Sequence, residues 1–130
     1  MPAERAKAWL LKAENDLLSA DNNLAANQIP FDVVCYNCQQ AAEKYLKALL
    51  VLLNVQPPRI HDLLALLQDI RKYLKTPVPN GIESSCVILN PYGVEIRYPD
   101  DGSSPTLADS KEARDAAEVI RRWVRTLITK

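Results

Sequence analysis

The chain has 130 residues, 48% of them hydrophobic and only three of them glycine, enough for one domain around one core and too few for two. Sixteen lysines and arginines balance sixteen aspartates and glutamates. No overall positive field therefore draws the chain onto DNA or an acidic membrane surface, and any phosphate recognition must be local.

The opening stretch MPAERAKAWLLKAENDL is broken by charges every few residues, unlike the apolar core of a signal peptide, and no run approaches the ~18 apolar residues of a membrane span. A soluble, cytoplasmic protein with no membrane partner is expected. Three cysteines, an odd number, suit a reducing compartment better than a disulfide framework.

Prolines divide the remainder into helices, because proline is poorly tolerated inside a helix but accepted in its first turn or just past its end. In the first segment Ala6, Trp9 or Leu10, Ala13, Leu17, Ala20 and Leu24 recur at steps of three and four. They predict an amphipathic helix from about Ala3 to Ala26, roughly 36 Å long. A second helix is expected from Pro30 to about Leu53, a third from His61 to about Leu74 and a shorter fourth from about Asn80 to Leu89. The fifth begins near Thr106, where Thr106-Leu107-Ala108-Asp109 fits a capping box, and runs to Ile128. No segment alternates with period two long enough to demand a sheet, although residues 94–98, VEIRY, could be a short extended piece. The expected fold class is all-α, an up-and-down bundle of about five helices in a single domain over residues 1–130, with an irregular loop from Asn90 to Pro105.

Cys35 and Cys38 have the spacing of a redox or metal site. On the helical wheel of residues 31–53, Val34, Cys38, Ala41, Ala42, Tyr45, Leu49 and Leu52 share one arc, with Cys35 at its edge. A dithiol oxidoreductase places such a pair at a helix N-terminus after a strand, where the dipole lowers a thiol pKa. Here the pair lies more than one turn past Pro30. Cys35, Cys38, Cys86 and His61 together form a permissible zinc set, but the second pair lacks close spacing. Small core residues are the better account, and no metal or other cofactor is expected.

The other side of this helix carries Tyr36, Gln40, Glu43, Lys44 and Lys47, with Glu43 and Lys47 an i,i+4 pair. Taken alone, the stripe reads as a solvated face with a pair worth ~0.3 to 0.5 kcal/mol. On the last helix, Lys111, Arg114, Arg121, Arg122 and Arg125 lie with Glu118 opposite an apolar stripe that includes Ile120, Trp123 and Val124. That arrangement reads as a charged exterior whose basic end could meet phosphates or an acidic partner. Asp100, Asp101 and Gly102 suggest a turn rather than a calcium loop. Gly81, Gly93 and Gly102 stand alone and form no phosphate-binding loop.

Residues 35–67, CYNCQQAAEKYLKALLVLLNVQPPRIHDLLALL, resemble the signature of HEPN domains: a QQAAEKxLKA helix, a proline-containing turn, then His-Asp-Leu opening the next helix. Residues 9–20, WLLKAENDLLSA, are similar to the family's first helix, and EIRYPDD, residues 95–101, to its Arg-Tyr-Pro-Asp segment. The resemblance implies a bundle of about five helices, a homodimer, and a nucleotidyltransferase-like partner encoded nearby in a toxin–antitoxin or related defence system. It also implies a nucleotide or RNA ligand. A large subset of the family are metal-independent ribonucleases with an arginine four to six residues before a histidine. This chain departs from that pattern, since its single histidine is His61 and the preceding arginine, Arg59, is two residues away.

At the matching segments, His61 is expected at the start of the third helix, where exposed N–H groups and the dipole favour an anion. Lys44 and Lys47 would add point charges, Arg97 a planar fork for phosphate, and Tyr98 or Tyr36 a stacking ring. In a purely structural reading, His61 helps cap the helix, Arg97 pairs with Asp62 or Glu43, and Tyr98 tucks the loop onto the core. Three functions remain open: a nucleotide- or RNA-end-binding module built on Lys44, Lys47, His61, Arg97 and Tyr98; a ribonuclease with a degenerate site using His61 with Arg59 or Arg97; and a structural interaction subunit.

Overall fold

The structure, a computed structural model, describes residues 1–93 and 104–129. Five α-helices occupy them: α1 (Pro2–Leu24), α2 (Phe31–Leu52), α3 (Leu63–Tyr73), α4 (Ile82–Leu89) and α5 (Leu107–Ile128), with a 3-10 turn at Asn90–Gly93. The all-α reading holds, with each predicted helix present and its ends within two residues of those expected. The expected extended piece at residues 94–98 lies outside the described residues.

Each boundary has a local cause. Pro2 occupies the first turn of α1, where its missing N–H costs nothing. Pro30 precedes α2 as its N-cap rather than sitting within the first turn, and its carbonyl accepts the first bond from Val34 N–H at 3.0 Å. The C-terminus of α2 is a Schellman motif. Asn54 adopts φ 64°, Asn54 N–H donates to Val51 C=O at 2.9 Å, and Val55 N–H donates to Leu50 C=O at 2.9 Å. Gly81, at φ 95°, sets the entry to α4, a left-handed conformation that strains side-chain-bearing residues. Thr106 and Asp109 form the predicted capping box of α5, each accepting the other's backbone N–H.

Helix α2 is the hub, packed by α1, α3, α4 and α5. Ala6, Ala13 and Ala20 recur every seventh residue on the buried face of α1, and side chains this small let α1 lie close along α2. From α2 itself Val34, Cys38, Ala41, Ala42, Tyr45, Leu49 and Leu50 are buried; Leu63, Leu66, Leu67 and Ile70 come from α3, and Ala113, Ala117, Ile120, Trp123 and Val124 from α5. Trp123 thus belongs to the core, while Trp9 is half-buried against it.

The three cysteines are fully buried. Burial pushes the Cys38 and Cys86 thiols up to about 12, the opposite of an activated thiol. Among the described residues no group of three or more His, Cys, Asp and Glu side chains could hold a metal ion, and no helix is long and apolar enough to cross a membrane.

The last helix does not present its arginines freely. Arg121 and Arg125 reach across to Glu14 of α1 at 3.1 and 2.7 Å, Arg114 reaches Asp21 at 2.7 Å, and Arg114, Arg121 and Arg122 all converge on Glu118 at 3.0 Å. The basic face expected from sequence is a network that ties α5 to α1.

Candidate functional site around His61

The site is built on one row of α2. Gln39, Glu43 and Lys47, spaced four apart, share a stripe, and all three are buried. This overturns the solvated reading of Glu43 and Lys47. A charged pair this deep is stable only if each group is satisfied, and the partners are at hand. Lys47 Nζ lies 3.0 Å from Glu43 Oε2, with side chains 8% and 6% exposed, and the same ammonium stands 5.9 Å from the centroid of the Trp9 ring. The other oxygen of Glu43, Oε1, is 2.9 Å from His61 Nδ1.

His61 is where this row reaches solvent, its side chain 72% exposed. With Glu43 ionised, Nδ1 carries the proton and donates to it, which leaves Nε2 of the neutral ring as an acceptor pointing away from the carboxylate. The backbone is held as well: Gln39 Nε2 donates to the His61 carbonyl at 3.1 Å, and Gln39 Oε1 accepts from Gln40 Nε2 at 2.7 Å. Gly93 closes over this amide. A Cβ there would sit 3.2 Å from Gln39 Nε2, so a side chain would push on the group that fixes His61.

The next residues form the start of α3. Asp62 is its N-cap, accepting from Leu64 N–H at 3.0 Å and Ala65 N–H at 3.3 Å. Asn90 accepts from Leu63 N–H at 2.9 Å and donates to Asp62 at 3.0 Å. Asn90 and these N–H groups hold the Asp62 carboxyl below its usual value. The exposed N–H groups expected to attract an anion at this helix start are therefore already occupied. An open cavity of about 340 Å³ remains, lined by His61, Asp62, Asn90 and Gly93.

Of the residues expected to form a nucleotide site, the structure brings His61 and Lys47 together, but through Glu43 and with Lys47 inside. Lys44 is engaged by Asp16 of α1 at 2.6 Å, so neither lysine is a free point charge. Tyr36 is half-buried on α2. Arg97 and Tyr98 lie outside the described residues, four and five positions past Gly93 in sequence. Gln39, Asn90 and Gly93 escaped the sequence reading. The step of four from Gln39 through Glu43 to Lys47 was the available signal, since it sets three polar residues in one row of the helix.

Fold and site together define a small all-helical domain whose central helix carries a buried polar row ending at a surface histidine. The HEPN domain model matches residues 6–127, and the chain belongs to the HEPN domain family. Two solved structures are similar. TT1696 from Thermus thermophilus has 31% identity and a TM-score of 0.78, over 94% of this chain and 97% of that one. ST0689, described as an archaeal HEPN homologue, has 28% identity and a TM-score of 0.70, over 95% and 97%. No curated protein matches the chain.

Proposed function

We propose that the protein is a cytoplasmic nucleotide- or RNA-end-binding module that works as a homodimer with a nucleotidyltransferase-like partner in a toxin–antitoxin or defence-type system. The observation that carries this reading is the Glu43–His61 contact: a buried carboxylate, already paired with Lys47, spends its second oxygen on orienting an exposed imidazole at the mouth of a cavity. A histidine that served only to close the core would turn its ring inward. Held this way, Nε2 is placed to accept from a ribose hydroxyl, or to donate to phosphate when the ring is protonated. Arg97 would supply the bidentate phosphate contact and Tyr98 the stacking ring. The missing family arginine–histidine spacing sets binding ahead of RNA cleavage.

The test is equilibrium binding of nucleoside mono-, di- and triphosphates and short RNAs by fluorescence polarisation. Wild-type protein is expected to bind at least one of them, with affinity falling about tenfold or more, ~1.4 kcal/mol, in His61→Ala and in Arg97→Ala. Absence of binding would move the function to protein interaction, and equal binding by wild type and both variants would place the ligand away from His61 and Arg97. Metal-free RNA cleavage lost in His61→Ala would establish the nuclease instead.

A further inference from the structure

A second cavity, of about 600 Å³, opens beside the other end of the polar row, between the start of α1 and the turn that follows α2; Arg5, Trp9, Val51, Asn54, Gln56 and Pro57 line it. Its volume falls within the range of small-molecule sites, and its walls are of three kinds. The Schellman turn fixes one wall, since it is closed by the backbone hydrogen bonds of Asn54 and Val55 and followed by Pro57 and Pro58. Trp9 supplies an aromatic surface. Arg5, exposed in the first turns of α1, is the one charged residue on the lining.

Trp9 is not an ordinary half-buried core residue. The ammonium of Lys47, nearly buried itself, stands over its ring. A cation over an indole draws on its π density, which makes the ring a better stacking partner for an electron-rich planar group. Glu43, 3.0 Å from the ammonium, holds it in this position. The lining thus combines an aromatic platform, a guanidinium that matches phosphate with a planar fork, and the two side-chain amides of Asn54 and Gln56, which can each donate and accept at the edge of a base.

We infer that this cavity is a binding site for a nucleoside monophosphate, with the base on Trp9 and the phosphate on Arg5. It is a different site from the one at His61 and stands on its own observations. The two are joined only through the Trp9–Lys47–Glu43–His61 row, so one can be occupied without the other.

Nitrogen-15 NMR of the full chain separates them, because Trp9 and Trp123 are the only tryptophans and Trp123 is in the core. The indole N–H of Trp9 is assigned with Trp9→Phe and followed while AMP, GMP, CMP, UMP, adenosine or inorganic phosphate is added. The expected result is a saturable shift of the Trp9 signal with at least one monophosphate and a still Trp123 signal. Arg5→Ala should weaken that binding at least tenfold, and His61→Ala should leave it intact. A Trp9 signal that stays put at millimolar nucleotide, an equal shift with inorganic phosphate alone, or a shift that survives Arg5→Ala overturns the assignment. A shift lost in His61→Ala would likewise overturn it, placing the ligand at the histidine instead.

Discussion

Glu43 joins two side chains of opposite situation, a lysine sealed in the bundle and a histidine standing in solvent. Burying two charges costs several kcal/mol for each ion, and their mutual attraction offsets that cost only when both are present. Removing one partner therefore does more harm than removing both. Glu43→Gln should destabilise the fold by about 3–5 kcal/mol, because Lys47 is left charged and unpaired against Trp9. Lys47→Met should cost less, since His61 still faces the carboxylate. The double variant Glu43→Leu with Lys47→Met should come within about 1 kcal/mol of wild type or exceed it, as apolar replacements of buried ion pairs often do, while the anchor of His61 is lost. Urea unfolding of the four proteins decides the matter; a double variant as unstable as Glu43→Gln alone would show that the row is held by something other than charge pairing.

Helix α3 shows how an element can be legible while its role at the site is not. Leu63, Leu66, Leu67 and Ile70 give its buried face the spacing visible in the sequence, yet the helix begins at Leu63 rather than His61. Asp62 takes the cap, and His61 is left outside to meet Glu43. Asp62 is the favoured capping type of the pair, but nothing local in His-Asp-Leu states where His61 points; Asn90, 28 residues on, fixes the start of the helix by holding both Asp62 and Leu63. Asp62→Ala should cost about 1 kcal/mol, the ordinary loss for an N-cap. It should also raise amide hydrogen exchange at Leu64 and Ala65 more than at Ile70; uniform exchange along α3 would mean that the cap plays no local part. The same reasoning explains the stripe on α2. Periodicity finds the apolar arc of this helix, but α2 is enclosed by four other helices, and a wheel drawn for one helix cannot show that its polar side is covered too.

Across the whole molecule, packing order follows from the apolar pattern, whereas electrostatic pairing follows from which helices lie side by side, and only the first is written locally in the chain. Ala6, Ala13 and Ala20 announce a close neighbour for α1; that Glu14 and Asp21 would meet arginines about a hundred residues away is settled by the topology alone. That α1–α5 network makes the stability of the bundle depend on acid. Burial by itself would raise the Glu14 carboxyl, but Arg121, the neighbouring Tyr45 hydroxyl and Arg125 outweigh it and hold the group below its ordinary value. Tyr45 is fully buried and its hydroxyl makes no hydrogen bond of normal geometry to a described residue; burial first, and then the Glu14 charge, push that phenol above its usual range. Glu118 behaves like Glu14: burial raises it, and Arg114, Arg122 and Arg121 bring it lower than an unperturbed glutamate. A carboxyl depressed in the folded state contributes stability that is fully present above its unfolded value, about 4.3, and is lost as pH falls through the lower folded one. Between about pH 5 and pH 2 the unfolded chain binds more protons at these two positions than the folded chain, so unfolding free energy must decline with acid. Each glutamate adds at most about 1.4 kcal/mol per pH unit to that slope, less as solvent screens a partly exposed pair. Glu14→Gln with Glu118→Gln should lower stability at pH 7 and flatten its dependence on pH below 5, without abolishing it, because Asp62 is depressed in the same direction and titrates in the same window. Denaturant titrations at half-unit pH steps read the slope directly. A double variant with the wild-type slope would mean that the arginines of α5 hold α1 no more tightly than the apolar contacts beneath them.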